Sequence, residues 1–159
     1  MLNRSVQKMC GILETATGVL FLSLFALNIL RIVLRYFAGI SWIWLPDISR
    51  LLFVWVVFIG ASVLVGRNEH LLMDFFVANL KPAASRRLGV AIQLGQMTFF
   101  AVMLMGGIRI AGVRMRIPFD TWDFPTGWAY IAVPVCASFM ILFSANNILQ
   151  SFVAKEESK

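Results

Sequence analysis

Leu51-Leu52-Phe53-Val54-Trp55-Val56-Val57-Phe58-Ile59 lies inside an apolar run from about Ile48 to Gly66. In water its β-branched and aromatic residues would suggest a buried strand. The length of the run and its lack of turn clusters favour a membrane helix, because in lipid the backbone must satisfy its own polar groups. Three more runs flank it, from about Gly11 to Leu34, Leu88 to Ile108 and Gly127 to Leu149. Each is close to or above the roughly 20 residues that cross a bilayer. Pro134 falls inside the last run, where neighbouring groups can satisfy the carbonyl it frees. Of the 159 residues 60% are hydrophobic and 14% charged, against about a quarter charged in an average soluble domain. A soluble domain this small could not bury so much apolar surface. The expectation is an all-α integral membrane protein, a single four-helix transmembrane domain over residues 1–159.

The connections carry interfacial signals. Residues 35–47, RYFAGISWIWLPD, mix charge with Tyr36, Trp42 and Trp44, as backbone at headgroup level does. Pro46 suits the first turn of the second helix, and Asp47 suits its positive end. Residues 71–80, LLMDFFVANL, place Leu71, Leu72, Phe75 and Phe76 at helical spacing before Lys81-Pro82, which predicts a short in-plane amphipathic helix. Residues 109–124 hold Arg109, Arg114, Arg116, Asp120 and Asp123 around Pro118 and Trp122, and read as an irregular interfacial turn. Arg4 and Lys8 precede the first run like a signal-peptide n-region, but its length reads as a retained anchor. Four spans put both termini on one side. That side holds every Lys, while Trp42, Trp44, Trp122 and Trp128 mark the other as an aromatic belt, so both termini are expected in the cytoplasm.

The chemistry of enzymes is missing from the pattern. There is no HExxH, phosphate loop or GxSxG, and the single His70 cannot supply two axial haem ligands. No metal and no cofactor is expected. The net charge of +6 reads as basic loops on anionic headgroups of membrane lipids, with no nucleic acid. Cys10 and Cys136 form neither a metal clip nor a redox pair. Glu14 is the one carboxylate inside a predicted span. It either couples protons, as in a self-sufficient small dimeric exporter, or reaches headgroups or a neighbouring Arg. Arg31, Arg50 and Arg109 lie near helix ends, where long side chains snorkel or form salt bridges. Gln93 and Gln96, with Ala91 and Gly95, make a polar, small-residue face on the third helix, and Gly107 with Ala111 repeats the spacing. Such faces suit close helix contact within the chain or against a partner, and Asn28, Asn146 and Asn147 can act as similar glue.

The sequence Arg35-Tyr36, then Asp47-Ile48-Ser49-Arg50, then Phe53 to Ala61 (FVWVVFIGA) resembles the small membrane subunit, the DctQ type, of tripartite ATP-independent periplasmic (TRAP) transporters. The likeness continues through Arg67, His70 and Asp74, then Ile117-Pro118, Trp128, Tyr130 and Pro134, and spans most of the chain. Asp47 stands where that family commonly has glutamate, and Pro46 where it often has a second acid. The resemblance implies a non-catalytic scaffold subunit in the bacterial inner membrane. Its partners would be a large membrane subunit that moves organic acid and sodium, and a periplasmic substrate-binding protein. The organic acid would be of the dicarboxylate or sialic acid type.

On this reading Arg35, Tyr36, Asp47, Arg50, Trp55, Gly60, His70, Asp74, Gln93, Gly95 and Gln96 are candidates for the large-subunit interface or the scaffold. Asp47 and Arg50 are spaced to pair at i and i+3, or stand as separate interfacial charges. His70 and Asp74 at i and i+4 could share a hydrogen bond, or His70 is an ordinary exposed histidine. Trp42, Trp44, Arg114, Arg116, Asp120 and Asp123 are candidates for docking the periplasmic protein, although lipid anchoring explains the tryptophans equally well.

Overall fold

A computed structural model describes residues 2–67, 82–121 and 123–156, with side chains over 6–67, 92–121 and 123–147. The in-plane helix expected over 71–80, with His70 and Asp74, lies outside the described residues. The elements are α1 (Leu2–Phe37), α2 (Leu45–Gly66), α3 (Pro82–Arg114), α4 (Gly127–Tyr130) and α5 (Ala132–Glu156). Four stretches are long and apolar enough to cross a membrane: Val6–Phe37, Leu45–Gly66, Ile92–Arg114 and Gly127–Asn147.

Several boundaries differ from those expected. α1 has 36 residues, about 54 Å of helix against a hydrocarbon core of about 30 Å. Arg35, Tyr36 and Phe37 remain helical because no breaker precedes Gly39. Gly39 at φ 65° ends the run, and the amides of Ala38 and Ile40 both turn back to the Leu34 carbonyl at 3.1 Å. Residues 109–114, read as the start of an irregular turn, are the last turns of α3. The last span is split at Ile131. Pro134 has no N–H for the Tyr130 carbonyl and its ring crowds that oxygen, so the helix loosens there. Continuity survives through Ile131 N–H to Gly127 O at 2.9 Å and Val135 N–H to Ile131 O at 3.2 Å.

The helices alternate in direction and pack as an open row, α1 against α2, α2 against α5, and α5 against α3. The N-terminus of α1 and the C-terminus of α5 share one end, the terminal end. The opposite, distal end holds the α1–α2 turn and the α3–α4 connection. The α2–α5 seam carries donors aimed at carbonyls across it. Asn147 Nδ2 donates to Val65 O at 3.0 Å, the Ser62 hydroxyl lies 3.3 Å from Cys136 O, and Trp55 Nε1 donates to Trp128 O in α4 at 3.2 Å. Each such bond contributes about 1 kcal/mol or less in a membrane. Asn28, expected as interhelical glue, instead bonds Leu24 O of its own helix at 2.8 Å. Near the terminal end Val65, Phe100, Met140 and Phe143 form the buried cluster, reached by Met9 and Leu13 of α1. Most of α1 is exposed, including Leu22, Phe25 and Ile32, as suits a helix whose solvent is lipid.

The α3–α5 contact depends on Gly107. A Cβ there would sit 2.9 Å from Val133 Cγ1 and 3.1 Å from the Pro134 backbone nitrogen. Gly107→Ala is therefore expected to push the two helices apart and destabilise the protein by about 1–3 kcal/mol. Gly95→Ala, where a Cβ meets nothing within 4 Å, is expected to be neutral or slightly stabilising. Thermal unfolding of the two variants in mild detergent checks the contrast.

Candidate functional site

The distal end gathers most of the polar side chains singled out by the sequence. After α3 the chain folds back on itself as an antiparallel bridge between Pro118 and Pro125. Phe119 N–H donates to Phe124 O and Thr126 N–H to Ile117 O, both at 2.9 Å. The Thr126 hydroxyl lies between Arg114 O at 3.1 Å and Ile117 O at 2.9 Å, closing the end of α3. Phe119, Phe124 and Trp128 stack in series, with ring centroids 6.4 and 6.2 Å apart.

This connection is tied to α2. Pro46 and Asp47 occupy the first turn of α2, where the helix dipole favours a carboxylate. Asp47 is buried and accepts a hydrogen bond from the Thr121 hydroxyl. Arg50 Nη2 donates to the Tyr130 hydroxyl at 3.2 Å. The Arg114 guanidinium sits 5.2 Å from the centre of the same Tyr130 ring, a cation–π distance. Two arginines from α2 and α3 thus converge on one tyrosine of α4. Asp47 and Arg50 do not pair with each other as their spacing suggested. Each is turned toward a tertiary partner, and among the described residues the sole ion pair is Arg67 with Glu14 at the terminal end.

The remaining candidates scatter. Arg35 and Tyr36 are exposed on the last turn of α1. Trp42 and Trp44 stack at 5.5 Å with planes 14° apart and are also exposed. Arg116, Asp120 and Asp123 are exposed on the folded-back connection, whereas Arg114 is half-buried and engaged internally. Gly60 lies at the α1–α2 contact, 3.5 Å from Thr17 Cγ2 at the position of a Cβ. Gln93 and Gln96 are half-buried, and Gly95 faces open space. Among the described residues no three His, Cys, Asp or Glu side chains gather where they could hold a metal.

Thr121 and Thr126 were missed by sequence reasoning. Thr126 follows Pro125 and precedes Gly127, a helix-start signal, yet its hydroxyl turns back to α3 rather than capping α4. Nothing local marks Thr121, whose partner is 74 positions away.

This pairing makes two substitutions informative. Thr121→Val is expected to cost about 1 kcal/mol by leaving buried Asp47 short of a donor. The charge swap Asp47→Arg with Arg50→Asp is expected to be at least as defective as either single change, because the two residues do not share a bond. Thermal unfolding of the set in detergent tests this, and rescue by the swap would contradict the geometry.

The chain matches the family model for tripartite ATP-independent periplasmic transporters, DctQ component, over residues 8–154. It is 31% identical over 130 residues to the sialic acid TRAP transporter permease protein SiaT of Haemophilus influenzae. That match covers 80% of this chain and 21% of SiaT, so the chain spans about a fifth of that relative. It is 22% identical over 135 residues to the sialic acid TRAP transporter small permease protein SiaQ of Vibrio cholerae, covering 85% of this chain and 78% of SiaQ. With four membrane-crossing stretches and a family match over nearly its whole length, this multi-pass membrane protein belongs to the DctQ family of TRAP transporter components, which are non-catalytic.

Proposed function

We propose that the chain is the small membrane subunit of a sodium-coupled importer of an organic acid of the sialic acid or dicarboxylate type. It acts as a fixed brace for a large membrane subunit in the inner membrane, with both termini in the cytoplasm. One observation carries the reading: most of this chain aligns to a fifth of a permease, so a homologous unit exists as one part of a larger transport polypeptide. The open row supports it as well. α1 and α3 flank a hydrogen-bonded middle and keep outward faces, Phe25 and Ile32 on one edge and Val102 and Met105 on the other, for a partner or lipid.

The distal end then faces the periplasm, and exposed Arg116, Asp120 and Asp123 form part of the docking surface for a soluble substrate-binding protein. Mixed charge on an exposed, aromatic-rimmed loop suits a transient, salt-sensitive contact. The competing reading, a self-sufficient exporter coupled to protons at Glu14, loses support from the ion pair of Glu14 with Arg67. Both side chains are about half exposed and lie near the end of α2.

Tagged chain, co-expressed with the large permease subunit and purified in mild detergent, is expected to recover it at one-to-one stoichiometry. In reconstituted vesicles Glu14→Gln is expected to leave sodium-driven uptake within about twofold of the parent. Recovery of the chain alone with loss of transport in Glu14→Gln would overturn the assignment. Separately, Arg116→Glu with Asp120→Lys is expected to slow uptake severalfold while the membrane complex stays assembled, with the deficit growing as salt is lowered. Unchanged kinetics would remove these residues from the docking surface.

A further inference from the structure

We propose that the arginine-lined rim of the small cleft at the distal end of α1 is a surface binding site for the phosphate of a membrane phospholipid. Arg31 and Arg35, one helical turn apart, line it together with Ile40, Ser41, Trp42 and Leu45. Both arginines are exposed, and neither meets a carboxylate among the described residues. Asp47, the nearest acid in sequence, is engaged by Thr121 and is itself buried. Like charges at i and i+4 repel each other. The negative end of the α1 dipole favours a cation in the last turn, which accounts for Arg35. Arg31 lies six residues before Phe37, the end of α1, beyond that influence, so an anion beside the pair would relieve its repulsion.

The surroundings select the kind of anion. Planar guanidinium forks bind phosphate oxygens in pairs, and Ser41 adds a hydroxyl donor at the same cleft. Trp42, stacked on Trp44, places indole rings beside it, at the depth where tryptophan meets headgroups. A free phosphate ion would use the arginines and leave the indoles unused. A phospholipid headgroup, seated at the interface, uses both. The site is separate from the proposed docking residues on the α3–α4 connection and stands independently of which partner the chain braces.

The test is native mass spectrometry and thermal unfolding of the full chain in mild detergent, titrated with phosphatidylglycerol and, in parallel, with inorganic phosphate. The parent is expected to retain one phospholipid and to be stabilised by phosphatidylglycerol but not by inorganic phosphate. Arg31→Gln with Arg35→Gln is expected to weaken retention by about fivefold per arginine. Arg109→Gln with Arg116→Gln, which removes the same charge elsewhere at this end, is expected to retain lipid like the parent. Arg31→Lys with Arg35→Lys keeps charge and length and guards against misfolding, and a smaller loss is expected from it. Undiminished retention in both Arg31/Arg35 variants would overturn the site, as would equal loss in the Arg109/Arg116 variant. Equal stabilisation by inorganic phosphate without a lipid adduct would also overturn it.

Discussion

The α2–α5 seam is the interaction on which the rest of the structure depends. Apolar side chains gain little from leaving lipid for one another, so helix association must come from close packing and from hydrogen bonds that lipid cannot offer. Here the donors are side chains and the acceptors are helical carbonyls, whose second lone pairs are free to accept. Asn147 reaches Val65, the Ser62 hydroxyl lies within 3.3 Å of Cys136 O, and Trp55 reaches Trp128 of the adjoining α4, so α2 is pinned to the last span at several heights. Sliding α2 by one residue would lose the Asn147 and Trp55 bonds together, while the Ser62 hydroxyl, which also has Phe58 O of its own helix at 2.9 Å, would fall back on that carbonyl. With the register fixed, α1 and α3 need only one neighbour each. Cys10 of α1 sits 3.7 Å from Val63 O, and Gly107 of α3 lies against Val133 and Pro134.

The two ends solve the charge problem differently. At the terminal end Glu14 and Arg67 neutralise each other across α1 and α2. At the distal end charges are given neutral partners: a threonine hydroxyl for Asp47, and a tyrosine hydroxyl and ring for Arg50 and Arg114. Neutral partners hold geometry without cancelling charge. Among the described residues, Arg31, Arg35, Arg50, Arg109, Arg114 and Arg116 stay unneutralised by any ion pair there, which leaves the distal end an electropositive rim set in aromatic residues.

The apolar runs were legible in the sequence because a membrane imposes a length and a composition, and the four apolar stretches follow from those alone. Boundaries were less legible. Arg35 and Arg109 look interfacial by composition, but a helix continues until something stops it, and the stops are Gly39 and the fold-back after Arg114 rather than the first charge. The site was legible in its residue types and not in its pairings. Asp47, Arg50, Trp55 and Tyr130 could each be picked out, while the bonds join positions 73 to 80 apart. Spacing along a helix reports only neighbours on that helix, which is why it suggested Asp47 with Arg50 and was silent on Thr121. Asn28 failed as glue for a related reason: a short amide inside a helix can satisfy itself on the carbonyl one turn back.

A carrier that moves solute by itself commonly breaks a helix near the middle of the membrane and aims the freed backbone and side-chain groups at the substrate. Among the described residues one span is broken, at Ile131, which makes the comparison pointed. The break lies one turn from the start of the last span at Gly127, and its cause is the missing amide of Pro134. Around it stand Tyr130, whose hydroxyl is taken by Arg50, and the Trp128 carbonyl, taken by Trp55. The Tyr130 hydroxyl and the Trp128 carbonyl beside the break are thus engaged by side chains of α2. Side chains of α2 and α3 that meet α4 beside the break tie the junction of these three helices together.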